Sequence, residues 1–175
     1  MTLTLRLLTV AVFAALAACS GPAGTASSGS DAQSFSIERT ACFGFCPMYA
    51  ATVDADEKLV FEGQRFVAAE GTHEKTLPEG SFERLIEIAE RHGFAGFDSA
   101  YPNEAGDNCP QMATDMPSVI VSVSSKKLTH AVSFYRGCFE FDGRDRLEAM
   151  IEEVDAVLAL DDWIGSREDF MGARE

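Results

Sequence analysis

From Ser34 onward the chain switches between two hydrophobic periods. Phe35, Ile37 and Arg39 alternate with polar neighbours, the two-residue period of a strand with one buried face. Residues 48–53 and 58–62 repeat that period on either side of Asp54-Ala55-Asp56-Glu57, which predicts a hairpin with an acidic turn. Tyr49, Ala51 and Val53 would share one side of its first strand, and Leu59 and Phe61 one side of its second. Residues 64–67 and 72–76 predict further strands. The period then lengthens: Phe82, Leu85, Ile86 and Ala89 fall at i, i+3, i+4 and i+7, a helix over 78–92 with Pro78 in its first turn and Gly93 at its stop. Phe94 and Phe97 follow as core plugs.

Residues 98–118 form a long polar stretch holding Pro102, Pro110 and Pro117. A connection of that length in a compact domain is functional or pinned. Val119, Val121 and Val123 then alternate, as do residues 128–135, joined across 124–127. A last helix over 142–160 buries Leu147, Ile151, Val154 and Leu158, with Asp142 as its N-cap. Trp163 and Ile164 close the domain, and 165–175 reads as a polar tail. No internal repeat interrupts the order of strands, helix, strand pair and helix. Its hairpin-length links imply antiparallel pairing, hence a single α+β domain over 34–164, mainly an antiparallel sheet with two helices packed on one face.

The 175 residues suffice for one hydrophobic core. A formal net charge of -14 argues against nucleic acid, whose phosphates need Lys and Arg, and against an electrostatic grip on anionic lipid. The first nineteen residues, MTLTLRLLTVAVFAALAAC, carry one charge, Arg6, before an apolar run. That run is about half of what a membrane-spanning helix needs and fits a secretory signal peptide over 1–18. Leu16-Ala17-Ala18-Cys19 resembles the bacterial lipobox, which implies a lipidated (palmitate-bearing) Cys19 as the mature N-terminus. Ser20, rather than Asp, follows it, which favours the outer membrane over the inner. Residues 19–33, rich in Gly, Ser and Ala, read as lipidated cysteine and flexible tether. We therefore expect a monomeric lipoprotein of the bacterial envelope, its domain in the periplasm or at the cell surface. Its partners would be the membrane, through the anchor, and an envelope protein.

With Cys19 assigned to lipid, Cys42, Cys46, Cys109 and Cys138 remain, an even set in an oxidising compartment. They admit three connectivities; Cys42–Cys46 with Cys109–Cys138 is preferred, because Gly44 allows a tight ring and the second bridge pins the long loop. Cys42-x-x-x-Cys46-Pro47 also resembles the motif of thioredoxin-like copper chaperones, with His130 as the distant ligand, so copper binding or thiol redox chemistry is the alternative. Against it, the segment after Pro47 alternates like a strand, where that motif would begin a helix. Met48, Met112 and Met116 read as packing rather than thioether ligands, and Asp107 and Asp115 as solvated loop acids. His73, His92 and His130 lack metal-site spacing, and neither a nucleophile elbow nor a phosphate loop occurs. The expectation is a non-catalytic domain without cofactor, whose candidate binding rim comprises Arg39, Phe43, Gly44, Tyr49 and Tyr101 beside the long loop.

The stretch RTACFGFCPMY resembles the opening of a bacterial envelope family of unknown function, R-x-x-C-[FY]-G-x-C-P-x-Y, through Arg39, Cys42, Phe43, Gly44, Cys46, Pro47 and Tyr49. The likeness extends through the hairpin at 54–58, the helix ending near Gly93, Tyr101 and Trp163. It implies that the cysteine turn is a family feature and brings no activity, substrate or catalytic set. The hairpin turn DADEK departs from it by lacking a glycine.

Overall fold

The computed structural model describes residues 32–172; the segment 1–18, Cys19 and most of the expected tether lie outside them. Seven strands form one sheet: β1 (Ser34–Arg39), β2 (Met48–Asp54), β3 (Lys58–Arg65), β4 (Gly71–Thr76), β5 (Ala100–Tyr101), β6 (Ser118–Ser124) and β7 (Thr129–Tyr135). Their order across the sheet is β4-β3-β2-β1-β6-β7-β5. Every pairing is antiparallel except the short β5–β7 edge. The principal helices are α1 (Ser81–Arg91) and α2 (Arg144–Leu158), followed by the short α3 (Asp161–Ile164) and α4 (Arg167–Gly172). This is the expected α+β domain.

Register explains why one face is buried. Ile37 pairs with Ala51 on one side and Val121 on the other, and those continue to Phe61 and Val132. Directly paired residues point the same way, so the row makes a continuous apolar strip, all of it buried. Leu85, Ile88 and Ala89 of α1 and Leu147, Met150, Ile151 and Val154 of α2 join the same buried cluster. The opposite face carries Ser36, Thr52, Ser122 and Ser133 and remains partly or wholly exposed. Phe94 and Phe97 are buried as expected.

The missing hairpin glycine has a structural replacement. Glu57 itself adopts the left-handed conformation, φ 64°, at the third loop position where a glycine usually stands. Its carboxylate accepts hydrogen bonds from the backbone N–H groups of Gly80 and Phe82, each at 2.8 Å. A glycine would relax the turn but leave the start of α1 without those acceptors. The acid therefore links the β2–β3 turn to the helix.

Four boundaries differ from expectation. α1 begins at Ser81 behind its N-cap Gly80, so Pro78 stands ahead of the helix and not in its first turn. β3 runs without a break through Arg65, so residues 64–67 are its end and not a separate strand. Gly143, not Asp142, caps α2. The tail is not simply polar: α4 forms within it, and Phe170 is buried against Phe66 at 5.9 Å between ring centroids. No helix among the described residues is long and apolar enough to cross a membrane.

Candidate functional site

β1 leaves the sheet at Arg39 and is held to the start of β6, with Thr40 N–H donating to the Ser118 carbonyl at 3.0 Å and Ser118 N–H to Thr40 Oγ1 at 2.8 Å. Cys42 and Cys46 are disulfide-bonded, with Cα atoms 5.8 Å apart. Gly44 closes this ring at φ 156°, outside the range that side-chain-bearing residues usually adopt, and its N–H donates to the Cys42 carbonyl at 2.9 Å. Phe43 N–H donates to the Asp115 carbonyl at 3.1 Å, which joins the turn to the end of the long loop. The outcome is a fixed loop that holds Phe43 in solvent at 89% exposure and Phe45 at 44%.

Phe45 does not stand alone. It meets Phe66 edge-on at 5.3 Å, and the Arg167 guanidinium lies 4.7 Å from its ring centroid. The Arg65 guanidinium lies at the same distance over Phe66. Both geometries are cation–π contacts. Arg65, Phe66, Arg167 and Phe170 were not among the sequence candidates. Arg65 ends β3 and Phe66 follows it, whereas Arg167 and Phe170 fall in the segment read as a polar tail, so only the tertiary fold brings them to Phe45.

Of the five residues expected to form a rim, the structure keeps Phe43 and Gly44 at the turn and corrects the other three. Arg39 shares the core face with Ile37 and reaches under α2, where it pairs with Asp155; its Nε donates to Tyr49 Oη at 2.8 Å. Burial opposes the Arg39 charge, but Tyr49 and Asp155 outweigh it and leave the guanidinium pKa raised. Burial also raises the Tyr49 phenol, against the pull of Arg39. Tyr49 is 1% exposed, so this pair braces the interior. Tyr101 lies on the opposite edge strand, stacked on Phe141 at 3.9 Å, and its hydroxyl accepts from Asp98 N–H at 2.9 Å. It is buried too, and that burial lifts its pKa.

Cys109 and Cys138 form the second disulfide, and Met112 bridges to Cys138 beside it. The long loop is thus pinned, as expected, and further held by Asn108, whose side-chain amide donates to Asp98 Oδ2 and the Ala100 carbonyl at 2.8 and 2.9 Å. A Cβ on Gly137 would overlap the Ala113 carbonyl oxygen and the Tyr135 ring, so the loop also needs a glycine where it meets β7.

The copper alternative finds no matching geometry. His130 pairs with Val123, which pairs with Phe35, at the sheet end away from the cysteine turn. Four strand residues, about 13 Å, separate that row from Arg39. Its ring nitrogen bonds the Phe97 carbonyl oxygen at 2.9 Å. His92 is engaged by Glu153 at 2.8 Å and His73 by the Glu70 carbonyl at 3.1 Å. Among the described residues, no three His, Cys, Asp or Glu side chains converge as a metal site. Thiol titration of the purified protein, denatured without reductant, is expected to find none of the four domain cysteines free, and two titratable thiols would reopen the redox reading.

These features define a class: a small α+β domain with one sheet, helices on one face, and a disulfide-closed aromatic turn at one sheet end. The chain belongs to the family described as "Domain of unknown function (DUF6438)", which matches residues 33–158 and so includes both disulfides and both principal helices. No match was found among curated proteins.

Proposed function

We propose that this chain is a lipid-anchored protein of the bacterial envelope whose domain is a non-catalytic binding or structural module, working through the Cys42–Cys46 turn. One observation carries the reading: the disulfide and Gly44 fix a backbone that holds two phenylalanines outward, Phe43 at 89% exposure and Phe45 at 44%. A fold gains nothing from two such neighbouring rings in water, whereas clustered exposed apolar groups mark a contact surface. The histidines and domain cysteines are occupied by structural partners, which supports a module without chemistry of its own. The lipobox-like Leu16-Ala17-Ala18-Cys19 supplies the anchor, and acyl chains hold such a domain to a bilayer without a basic patch.

The two parts are tested separately. Cys19→Ala should move the protein from the membrane pellet to the soluble fraction of broken cells; retention in the pellet would remove the anchor. A photo-crosslinking residue at position 43 in intact envelopes should give adducts that the same residue at Glu79 does not. Silence at position 43 would remove the turn as the working surface.

A further inference from the structure

The two ends of the sheet differ in chemistry. At the end where β1 begins stand Asp54, Asp56, Glu57 and Lys58 of one turn and Lys126 and Lys127 of another. At the other end lie all the exposed large hydrophobic residues among those described: Phe43, Phe45, Met112, Met116 and Phe139. They come from three segments that hydrogen bonds tie together, Phe43 N–H to Asp115 and Phe139 N–H to Gln111. Beside them are Arg65 and Arg167, both exposed and neither in an ion pair among the described residues. Their guanidiniums stand over the rings of Phe66 and Phe45, which places two cations within the exposed aromatic patch.

We infer that this end of the domain is a membrane-docking surface, taking the headgroups and outer acyl region of an anionic phospholipid bilayer. Phe43 and Phe45 insert, the methionines and Phe139 lie along the interface, and Arg65 and Arg167 meet phosphate oxygens. The chemistry of the patch favours lipid over a folded partner. Phe43 and Phe45 stand on a turn rather than lining a groove, and cations stacked on aromatic rings present their remaining N–H groups outward. Interfacial binding scales with apolar area plus attraction to anionic lipid. The acids of the opposite end lie about 17 Å away along β1, about two Debye lengths at physiological salt. Asp115, Glu140 and Glu168 lie exposed at the near end, so the arginines are local attachment points for phosphate in a patch of mixed charge, and the aromatic rings carry the insertion.

Geometry permits it. This inference rests on the lipid anchor proposed above. Fourteen residues lie between Cys19 and Ser34, a contour of at most about 50 Å, against about 17 Å from one end of β1 to the other. A domain anchored at its charged end can therefore lay its apolar end on the same bilayer, giving two membrane contacts instead of one.

The test uses the full mature lipoprotein in vesicles of phosphatidylglycerol and phosphatidylethanolamine, with Phe43→Trp read against the background of Trp163. Position 43 is exposed, so the added indole leaves the fold intact. Its emission should shift to the blue and be quenched by lipids brominated in the acyl chain. Neutralising both cations, Arg65→Gln with Arg167→Gln, should lower the docking equilibrium about 25-fold, from about fivefold per cation near an anionic surface; vesicles of phosphatidylcholine should have a similar effect. Protein that stays with the vesicles while the indole at position 43 stays unquenched would overturn docking and leave the anchor standing. Crosslinks from position 43 that go to a protein and never to lipid would also overturn it. Protein lost from vesicles after Cys19→Ala, with position 43 still quenched when vesicles are present in excess, would support docking independently of the anchor.

Discussion

Arg39→Met should lower the unfolding free energy by about 2 kcal/mol, although the residue it removes is charged and only partly buried. The reason lies in Tyr49. Its ring is packed against Phe61 at 5.2 Å and it is 1% exposed, so its hydroxyl has no ready access to water. Arg39 Nε, at 2.8 Å, is its hydrogen-bond donor, and a buried hydroxyl left without a partner costs about 1–3 kcal/mol. Met preserves the aliphatic stem, so little packing is lost. Asp155 contributes less, because its side chain is 41% exposed and regains water when the arginine goes. Two comparisons separate these contributions in urea unfolding followed by Trp163 fluorescence. Asp155→Asn should cost less than about 1 kcal/mol. Arg39→Met in a Tyr49→Phe background should cost clearly less than in the wild type, since the orphaned hydroxyl is gone. An Asp155→Asn cost equal to that of Arg39→Met, with additive double variants, would show that the ion pair and not the phenol carries the site.

The same residue shows where sequence reading reached its limit. Arg39 has the right parity for the core face, two residues after Ile37, which is plain in the sequence. A charged side chain at a buried-face position reads as a rim residue unless its partner is known, and that partner, Asp155, comes 116 residues later on a helix. Alternation puts Tyr49 on one side of β2 with Ala51 and Val53, and that side is the buried one, so Tyr49 is not a rim residue. Tyr101 gave no period to read, because β5 is only two residues long and pairs parallel to a distant strand. Strands, helices and their buried stripes were legible because a two-residue or 3.6-residue period is a local property. The disulfide pairing was legible because spacing and loop topology favoured it. The aromatic–cation stack of Phe45, Phe66, Arg65, Arg167 and Phe170 was not, since its members come from three separate segments and no short-range rule joins them. Glu57 lies between these cases. The absent glycine was visible in DADEK, but its compensation by capping α1 required knowing that Gly80 folds back onto the turn.

Replacing Cys109 and Cys138 together by alanine should destabilise the domain by about 3.6 kcal/mol through the loop it opens, with a further loss because Cys138 is completely buried and its removal leaves space beside Met112. For a domain of this size the midpoint should fall by about 10 °C. The same treatment of Cys42 and Cys46 should cost about 2 kcal/mol or less, since only four positions separate them in sequence against 29 for the other pair. Function should divide the other way. The large bridge holds the loop against β7, so without it residues 102–117 should become the first site of proteolysis while Phe43, still inside its own ring, keeps its position. The small ring does less for the fold but fixes Phe43, so opening it should weaken docking of position 43 to anionic vesicles while the midpoint falls about half as far as in the other variant. Thermal unfolding and acyl-chain quenching measured on the same two variants give four values. If both variants lost stability and docking in the same proportion, the turn would be one more staple, and its exposed phenylalanine would have no role that the disulfide serves.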